Sequence, residues 1–308
     1  MAEAITIHKS QGRSEEIVTV DVTKGMNRQK YYVAFSRATS LDGLHIIGQF
    51  NPPSQIEEND PVKIEMDRLR QNPLIPKFQY LRDVPDNIIQ IVSHNVQSIR
   101  KHISSVVADS VYTNSHILAF QECWALSNES YNIPDFEEIS RNSLSGRPRA
   151  FGTINFCKSL MEARISNRIE LEFGDEQNHV ELTGYCIDNK LTIINIYNNP
   201  APNFDVLKGA LSEIEEFIGL TDTIIMGDFN HYFRMGNQLE RYLKQKYNLS
   251  FISPREPTTN AGTTIDGVFG NLLHYEADFA IYESYFSFHK PIIIRIKEKE
   301  QINNDLID

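Results

Sequence analysis

The chain has few cysteines, no excess of basic residues and no long apolar run. Three cysteines in 308 residues, Cys123, Cys157 and Cys186, are far apart and form no C-x-x-C pair. We therefore expect no disulfide framework, no disulfide-linked partner and no zinc site. No run approaches the roughly 18 apolar residues of a membrane span, and the first residues lack the layout of a secretory signal. These absences predict an intracellular protein that does not engage a membrane.

The charge balance lacks the basic surplus that many nucleic-acid binders carry. The formal net charge is −11, and residues 87–298 hold 18 Lys/Arg against 26 Asp/Glu, whereas residues 1–50 hold six against five. A broad basic face is therefore not expected. The acidic surplus suits a metal-dependent enzyme, because carboxylates gather around a cation that then supplies the positive charge.

Four regions follow one another along the chain. Residues 1–50 contain short apolar runs that predict strands at Ala4–Ile7, Ile17–Val22, Tyr31–Phe35 and Leu44–Ile47. So few strands cannot close a sheet, so this region resembles one edge of a larger domain. Residues 51–86 form a proline-rich linker with a helix predicted at Val62–Gln71, and residues 299–308 form a polar tail.

Residues 87–298 alternate strand and helix patterns and form the main domain. The β-rich runs are IIQIVSH, HILAFQE, RAFGTINFC, HVELTGYCI, KLTIINIY, DTIIMGD, IDGVFG, DFAIY and PIIIRI. Apolar spacing predicts helices over Ser98–Asp109, Phe204–Gly219 and Gln238–Lys246. Many strands with few crossover helices predict two packed sheets with helices outside them, an α/β sandwich.

Polar side chains stand where several of these strand runs end or begin. They are Asn95, Glu122, Tyr197, Asp228, Asn230, Asp266 and His289. Singly, none of them is decisive: an Asp or Asn after a strand is more often a turn former than a catalyst, Tyr197 also fits a packed strand aromatic, and His289 also fits a hydrogen-bonded structural histidine. Jointly, a histidine, several carboxylates and amides and a phenol on separate strands predict one site at one rim of the sheets. His94 and His231 are assigned by default to structure or solvent, and as the histidines nearest to these residues they are also candidates to support them.

The same segments carry a resemblance to a known family. HNVQSIR, LAFQE, GDFN and a final histidine in the setting S-x-H-x-P resemble the endonuclease/exonuclease/phosphatase superfamily, over about residues 87–298. The resemblance implies a DNase I-like four-layer α/β sandwich, with two packed mixed sheets flanked by helices. It also implies hydrolysis of phosphodiesters with Mg²⁺, for which Mn²⁺ can substitute.

By this resemblance, three residues serve the cation and the attacking water. Glu122 is the main Mg²⁺ ligand and Asn95 supports it. Asp228 orients or deprotonates the water. Phosphodiester hydrolysis needs both functions, because the phosphate must be neutralised and the water made nucleophilic.

The other four residues are implied to hold the phosphate and its developing charge. Asn230 holds the phosphate and Tyr197 donates to one of its oxygens. His289 stabilises the phosphorane, and Asp266 fixes the tautomer of the His289 ring.

Two positions depart from the family pattern. Phe288 stands where the family often has an aspartate before the final histidine, and Gln97 stands where apurinic endonucleases carry an acid. Both changes remove a carboxylate near the cation, so we expect a lower metal affinity and no specificity for abasic sites.

Near the start, TIHKSQG and YVAFSRATS resemble the last two motifs of superfamily 1B DNA helicases of the Pif1/RecD type. The resemblance implies that Lys9, Ser10, Gln11 and Gly12 contact DNA. It implies that Arg37 reaches the γ-phosphate of ATP, a task that suits a permanently charged, forked donor. Residues 1–50 are thus interpreted as a fragment of a RecA-like helicase domain, with DNA as the partner.

The chain has no phosphate loop of the form G-x-x-x-x-G-K-[ST], so we expect ATP binding only in an intact parent helicase. A helicase end followed by a nuclease resembles Helitron-type transposon proteins, for which a nuclear location is expected. The leading hypothesis is a Mg²⁺-dependent DNA endonuclease. Two alternatives stay open: a catalytically dead DNA-binding fragment, and an inositol-phosphate or lipid phosphatase, for which Arg234 offers some support.

Overall fold

The computed structural model describes residues 4–53, 57–71, 80, 84–142, 151–175, 177–200, 204–219, 221–233 and 237–299, without the side chains of residues 69 and 71. The chain divides into two compact units, residues 1–73 and residues 74–308. None of the helices in the described ranges is long and apolar enough to cross a membrane.

The described residues of the first unit form two short parallel strands, two α-helices and a short 3₁₀ helix. Its elements are a 3₁₀ helix at Ile7–Ser10, β1 at Val18–Asp21, α1 at Arg28–Phe35, β2 at Leu44–Ile47 and α2 at Pro61–Gln71. β1 and β2 pair in parallel. The strands predicted at Ile17–Val22 and Leu44–Ile47 and the helix predicted at Val62–Gln71 are confirmed.

The strands predicted at Ala4–Ile7 and Tyr31–Phe35 are wrong. The aromatic and β-branched run YYV favours a strand locally. Instead, the Asn27 side chain accepts the Lys30 backbone N–H as an N-cap, and Tyr31 and Ala34 are buried on one helix face. The capping bond and this i, i+3 burial outweigh the weak local preference.

The second unit contains twelve strands among its described residues. They are β3 Ile88–Asn95, β4 Ile117–Gln121, β5 Phe136–Asn142, β6 Thr153–Lys158, β7 Ile165–Gly174, β8 His179–Ile187, β9 Leu191–Asn198, β10 Asp222–Asp228, β11 Ser250–Phe251, β12 Asp266–Asn271, β13 Tyr275–Ile281 and β14 Ile292–Glu298. All nine predicted strand runs fall on strands, whereas β5, β7 and β11 were not predicted. The strands form two six-stranded mixed sheets, ordered β11-β12-β10-β9-β8-β7 and β13-β14-β3-β4-β6-β5.

Four helices accompany these sheets: α3 Ile99–Ala108, α4 Ser110–Thr113, α5 Phe204–Glu213 and α6 Gln238–Tyr247. Apolar residues of both sheets form the central core, including Ile91, Ile193 and Ile294. A second core lies between one sheet and α5 and α6, and a third between the other sheet and α3 and α4. The expected four-layer DNase I-like sandwich is therefore confirmed.

Strand direction brings the polar ends together. The pairs β3/β4 and β9/β10 are parallel, so their carboxyl ends meet at one edge of each sheet. β12 runs antiparallel to β10, and its first residue, Asp266, pairs with the last residue of β10, Asp228. The two packed sheets thus offer one rim on which residues far apart in sequence can meet.

Candidate active site

Asn95 connects the two carboxylates at the centre of the rim. Its Nδ2 donates to Glu122 Oε1 at 2.9 Å and to Asp228 Oδ2 at 2.9 Å. Its Oδ1 accepts the Gln97 backbone N–H at 3.2 Å. All three central side chains are buried or nearly so. In this arrangement Asn95 positions both acids, while direct metal ligation by Asn95 remains a prediction.

His289 and Asp266 form a buried pair beside these acids. His289 Nδ1 lies 2.9 Å from Asp266 Oδ2 and 3.0 Å from Oδ1. Burial disfavours the charged His289 ring, but the neighbouring Asp266 carboxylate outweighs it and raises the pKa of His289 to about 9. The ring is therefore an imidazolium at neutral pH, with Nδ1–H donated to Asp266. Its Nε2 points toward Asp228 Oδ2, 3.9 Å away.

Two acids of this rim can hold a metal ion, with the charged His289 ring beside them. One ligand atom from each of Glu122, Asp228 and His289 lies within 4.8 Å of the others. Burial raises the pKa of Glu122, and burial with the nearby Asp266 carboxylate raises the pKa of Asp228 to about 8. These two buried carboxyl groups lie close together and resist ionisation. A bound dication would favour their charged forms, so the pair can serve as a cation site. Hard oxygen donors of this kind match Mg²⁺ or Mn²⁺.

Two aromatic side chains hold Glu122 from other directions. The Tyr197 hydroxyl and the Trp124 indole N–H both donate to the Glu122 carboxylate. Tyr197 is buried, whereas 39% of Trp124 is exposed. Burial and the neighbouring carboxylates raise the pKa of Tyr197 far above its ordinary value, so its hydroxyl stays a donor.

Asn230 follows Asp228 and turns back toward the same strand end. Its backbone N–H donates to Asp228 Oδ1 at 2.9 Å, and its Nδ2 donates to the Asn198 carbonyl at 2.7 Å. The Asn198 amide in turn donates to the Phe229 carbonyl at 2.8 Å. Asn230 adopts a left-handed backbone with φ 46°, and these bonds hold it there.

The loop before His289 is tied to the end of β3. Ser287 Oγ donates to the Asn95 carbonyl at 2.6 Å and accepts the His289 backbone N–H at 3.1 Å. Gln97 Oε1 accepts the Phe288 backbone N–H at 3.0 Å. The two departures from the family pattern, Gln97 and Phe288, therefore contact each other.

His94 supports this loop from beneath. Its Nε2–H donates to the His289 carbonyl at 3.0 Å, and its Nδ1 accepts the Tyr112 hydroxyl at 2.9 Å. Full burial lowers the pKa of His94 to about 3, so the ring stays neutral and keeps this tautomer. His94 therefore supports the backbone of His289. The His231 ring lies near Phe233, with ring centroids 6.3 Å apart.

A buried polar layer lies below the rim, between the two sheets. Gln121 Nε2 donates to Asn195 Oδ1 at 2.6 Å, Asn195 Nδ2 donates to Asn155 Oδ1 at 3.1 Å, and Asn155 Nδ2 donates to Thr183 Oγ1 at 3.0 Å. Gln121 precedes Glu122, and Asn195 lies two residues before Tyr197. The sequence signal was a polar residue inside an apolar strand run, but such a residue does not reveal its partner.

In the first unit, the structure brings the two helicase-like motifs together. Arg37 donates through Nε to the Val33 carbonyl at 3.0 Å and through one terminal nitrogen to the Arg13 carbonyl at 2.9 Å. The Glu15 backbone N–H donates to the Arg37 carbonyl at 2.8 Å. The 9–12 stretch is partly or fully exposed, with Gly12 at φ 80°. Arg234, which supported the phosphatase alternative, lies outside the described residues.

Comparisons with known proteins address each unit separately. No protein-family model matches the chain. The N-terminal part is similar to the ATP-dependent DNA helicase PIF1 of Danio rerio, at 39% identity over 75 residues, and to the ATP-dependent DNA helicase Pif1 of a Psychrobacter strain, at 46% over 48 residues. These matches cover 24% and 16% of this chain but only 11% and 7% of the two helicases.

The second unit resembles solved structures. The endonuclease domain of TRAS1, a telomere-specific non-LTR retrotransposon, superposes with a TM-score of 0.52 at 14% identity, covering 69% of this chain and 100% of that chain. A protein of unknown function from Enterococcus faecalis V583 gives 0.51 at 13% identity, with 68% and 100% covered. The chain thus joins a segment similar to Pif1 helicases to a domain with a DNase I-like fold.

Proposed function

We propose that the chain is a Mg²⁺-dependent phosphodiester hydrolase that acts on DNA as an endonuclease. One observation carries this proposal: Glu122, Asp228 and His289 converge, with ligand atoms within 4.8 Å, on one rim of a DNase I-like fold. The charged state of His289 adds a cationic donor beside two acids. A dication held by the two acids Glu122 and Asp228 would neutralise phosphate charge and polarise a water for attack.

The attack is assigned to the Asp228 side of the site. Asp228 is fully buried and receives hydrogen bonds from Asn95 and from the Asn230 backbone, which fix its orientation. Held in this way, its carboxylate can orient a water and accept a proton from it. Glu122, held by Asn95, Tyr197 and Trp124, is the better-supported metal ligand.

The developing charge is assigned to His289 and its neighbours. With Nδ1–H bound to Asp266, His289 presents Nε2–H to the rim. A fixed, charged donor stabilises a phosphorane oxygen without reorganising during the reaction. Tyr197 and Asn230 supply neutral donors to the non-bridging oxygens in this proposal.

DNA is the proposed substrate because of the first unit. Its sequence similarity is to DNA helicases, and its Lys9, Ser10, Gln11 and Gly12 stretch is accessible. We propose that this stretch contacts DNA. We propose that Arg37, bonded here to backbone carbonyls, serves ATP only in an intact parent helicase.

Supercoiled plasmid tests the proposal directly. The chain should nick it in Mg²⁺ or Mn²⁺ and not in EDTA, and Asp228→Asn should lower the rate by about 10²-fold or more, as loss of a general base does. Asp222→Asn is the matched control, since Asp222 is a buried aspartate at the opposite end of β10 that accepts the His274 backbone N–H at 2.7 Å. Its nicking rate should stay near wild type.

Two other results would contradict the proposal. Plasmid binding without metal-dependent nicking would indicate the dead DNA-binding fragment. Phosphate release from inositol phosphates alone, with plasmid left intact, would indicate the phosphatase.

A further inference from the structure

Glu181 is a buried carboxyl group that the proposed chemistry does not use. It lies in β8 with 0% of the residue exposed. Its Oε2 accepts the Gly152 backbone N–H at 2.7 Å, and its Oε1 has no hydrogen-bond partner among the described residues. A carboxyl group held this deeply is costly, so its location calls for a compensating role.

The bond to Gly152 leads to the segment that carries Glu122. The carbonyl of Gly152 accepts the Cys123 backbone N–H at 2.9 Å, and the carbonyl of Phe151 accepts the Trp124 backbone N–H at 2.8 Å. Glu181 therefore fixes the strand end against which residues 122–124 are bonded.

That segment is strained and needs such support. Glu122 and Trp124 have φ values of 46° and 52°, a left-handed conformation that non-glycine residues rarely adopt. On its other side, the carbonyls of Glu122 and Cys123 accept the backbone N–H groups of Ser98 and Ile99, at 2.8 and 2.9 Å. Conformations of this kind persist only where the surroundings fix them from several directions.

Glu181 also lies directly opposite Tyr197. The two residues are Cα partners in the antiparallel pair β8/β9, which places both side chains on the same face. Because the Tyr197 hydroxyl donates to Glu122, two of the supports of Glu122, the Gly152 backbone and Tyr197, lie beside Glu181.

We infer that Glu181 is a positioning residue for the cation site: through Gly152 it holds residues 122–124 so that the Glu122 carboxylate faces Asp228 and His289. This inference rests on the proposed metal-dependent function and adds a residue that touches neither cation nor substrate. Removing the Glu181 acceptor should let the strained segment 122–124 relax. Cation binding should then weaken, although every proposed metal ligand is still present.

Trp124 provides the measurement, because it is the only tryptophan of the chain and bonds Glu122. Mn²⁺, which is paramagnetic, should quench its fluorescence as it binds to the full-length chain. Glu181→Leu should raise the Kd for Mn²⁺ by about 10- to 100-fold, the range found when a residue supporting a metal ligand is lost. It should also shift the Trp124 emission before any metal is added.

Two variants separate positioning from general stability. Glu181→Gln keeps an acceptor for Gly152 N–H, so its Kd should stay within about threefold of wild type, since only the supporting acceptor matters. Leu182→Ala, on the same strand but with its side chain in the core beside α5, should lower the unfolding temperature and leave both Kd and emission unchanged. If leucine is not accommodated at position 181, Glu181→Met removes the acceptor with less change of shape.

The outcomes are distinct. Wild-type binding that is no tighter than that of Asp228→Asn would overturn the proposed function and this inference with it. Tight wild-type binding with an unchanged Kd in Glu181→Leu and Glu181→Met would overturn the inference alone. A loss of Mn²⁺ affinity in Glu181→Gln as large as that in Glu181→Leu would also overturn the inference.

Discussion

At the scale of single residues, the site depends on charge states that burial and close neighbours impose. His94 and His289 contact each other through one hydrogen bond, yet their pKa values are about 3 and about 9. The difference arises because His94 faces a hydroxyl and a carbonyl, whereas His289 faces the Asp266 carboxylate. One ring thus holds the backbone as a neutral group, and the other offers a positive charge to the rim.

The His289 pair should appear in the pH profile of nicking. With the pKa of His289 raised to about 9, its charge is present at neutral pH and lost as pH rises through 9. Asp266→Asn removes the carboxylate that does most to raise the pKa of His289. The alkaline fall in nicking rate should therefore move toward or below pH 6.5, and the maximum rate should be lower. The measurement is the nicking rate from pH 5 to 10. A falling limb that stays in place in Asp266→Asn would contradict the assignment.

Glu181 should make stability depend on pH. Burial raises its pKa from 4.5 to about 8 in the folded chain. Its stabilising contribution is therefore fully present below pH 4.5 and is lost as pH rises through 8. Glu181→Gln cannot ionise, so its free energy of unfolding should fall less between pH 5 and 9 than that of wild type. Urea unfolding at several pH values measures the free energy of unfolding of both proteins. Curves of this free energy against pH that run parallel for wild type and Glu181→Gln would contradict the prediction.

At the scale of elements, strand ends and short turns place the chemistry. β3, β4, β9 and β10 bring Asn95, Glu122, Tyr197 and Asp228 to one rim, and the left-handed turn after β4 aims Glu122 inward. Gly152 lies against that turn with φ 100°, and a Cβ there would meet the Asn142 carbonyl at 3.2 Å and the Cys123 Cβ at 3.7 Å. Space beside the turn is therefore limited.

Two glycines with similar backbones test this. Gly152→Ala should lower nicking and Mn²⁺ affinity about tenfold or more, because the new methyl group crowds the Asn142 carbonyl and displaces the backbone to which residues 123 and 124 are bonded. Gly219→Ala is the control: its φ is 93°, but nothing lies within 4 Å of the added Cβ. It should cost about 1 kcal/mol of stability from backbone strain and leave activity intact. Equal activity losses in the two variants would show that strain alone, and not contact with the turn, is responsible.

The sequence predicted the positions of the site better than their supports. The seven predicted residues lie at one rim because they stand where recognisable apolar runs end or begin, and the roles assigned to them stay predictions. The strands β5 and β7 were missed because charged side chains interrupt them, as in FEEISRN and ISNRIELEFG. Glu181 and Asn195 were missed for another reason: their partners lie in distant parts of the chain, so the local sequence does not reveal these contacts. Ser287 belongs to the S-x-H-x-P motif, but the motif does not reveal its bond to the Asn95 carbonyl.

At the scale of the whole molecule, the chain combines two units of unequal completeness. The described part of the second has two six-stranded sheets and carries the proposed site residues, whereas the described part of the first has one two-stranded sheet. The chain spans at most 11% of the helicases that the first unit resembles. The proposed chemistry therefore belongs to the second unit alone.

This division predicts nuclease activity without ATPase activity. Because no phosphate loop is present in the sequence, the chain should hydrolyse no ATP, with or without single-stranded DNA, and ATP should not alter the nicking rate. Phosphate release from ATP and plasmid nicking can be measured in the same preparation. DNA-stimulated ATP hydrolysis that survives in Arg37→Ala would point to a contaminant, and hydrolysis lost in Arg37→Ala would contradict the prediction.

The hydrogen bond between Gln97 Oε1 and the Phe288 backbone joins positions 191 residues apart in sequence. A carboxylate introduced at 97 would keep this bond and add a charge, whereas one introduced at 288 would leave the bond itself intact but add a charge beside His289. The effect of either change thus depends on which residue already occupies the other position. The two mutations to an acidic pair would therefore be epistatic, with their order deciding whether the single mutant remains functional.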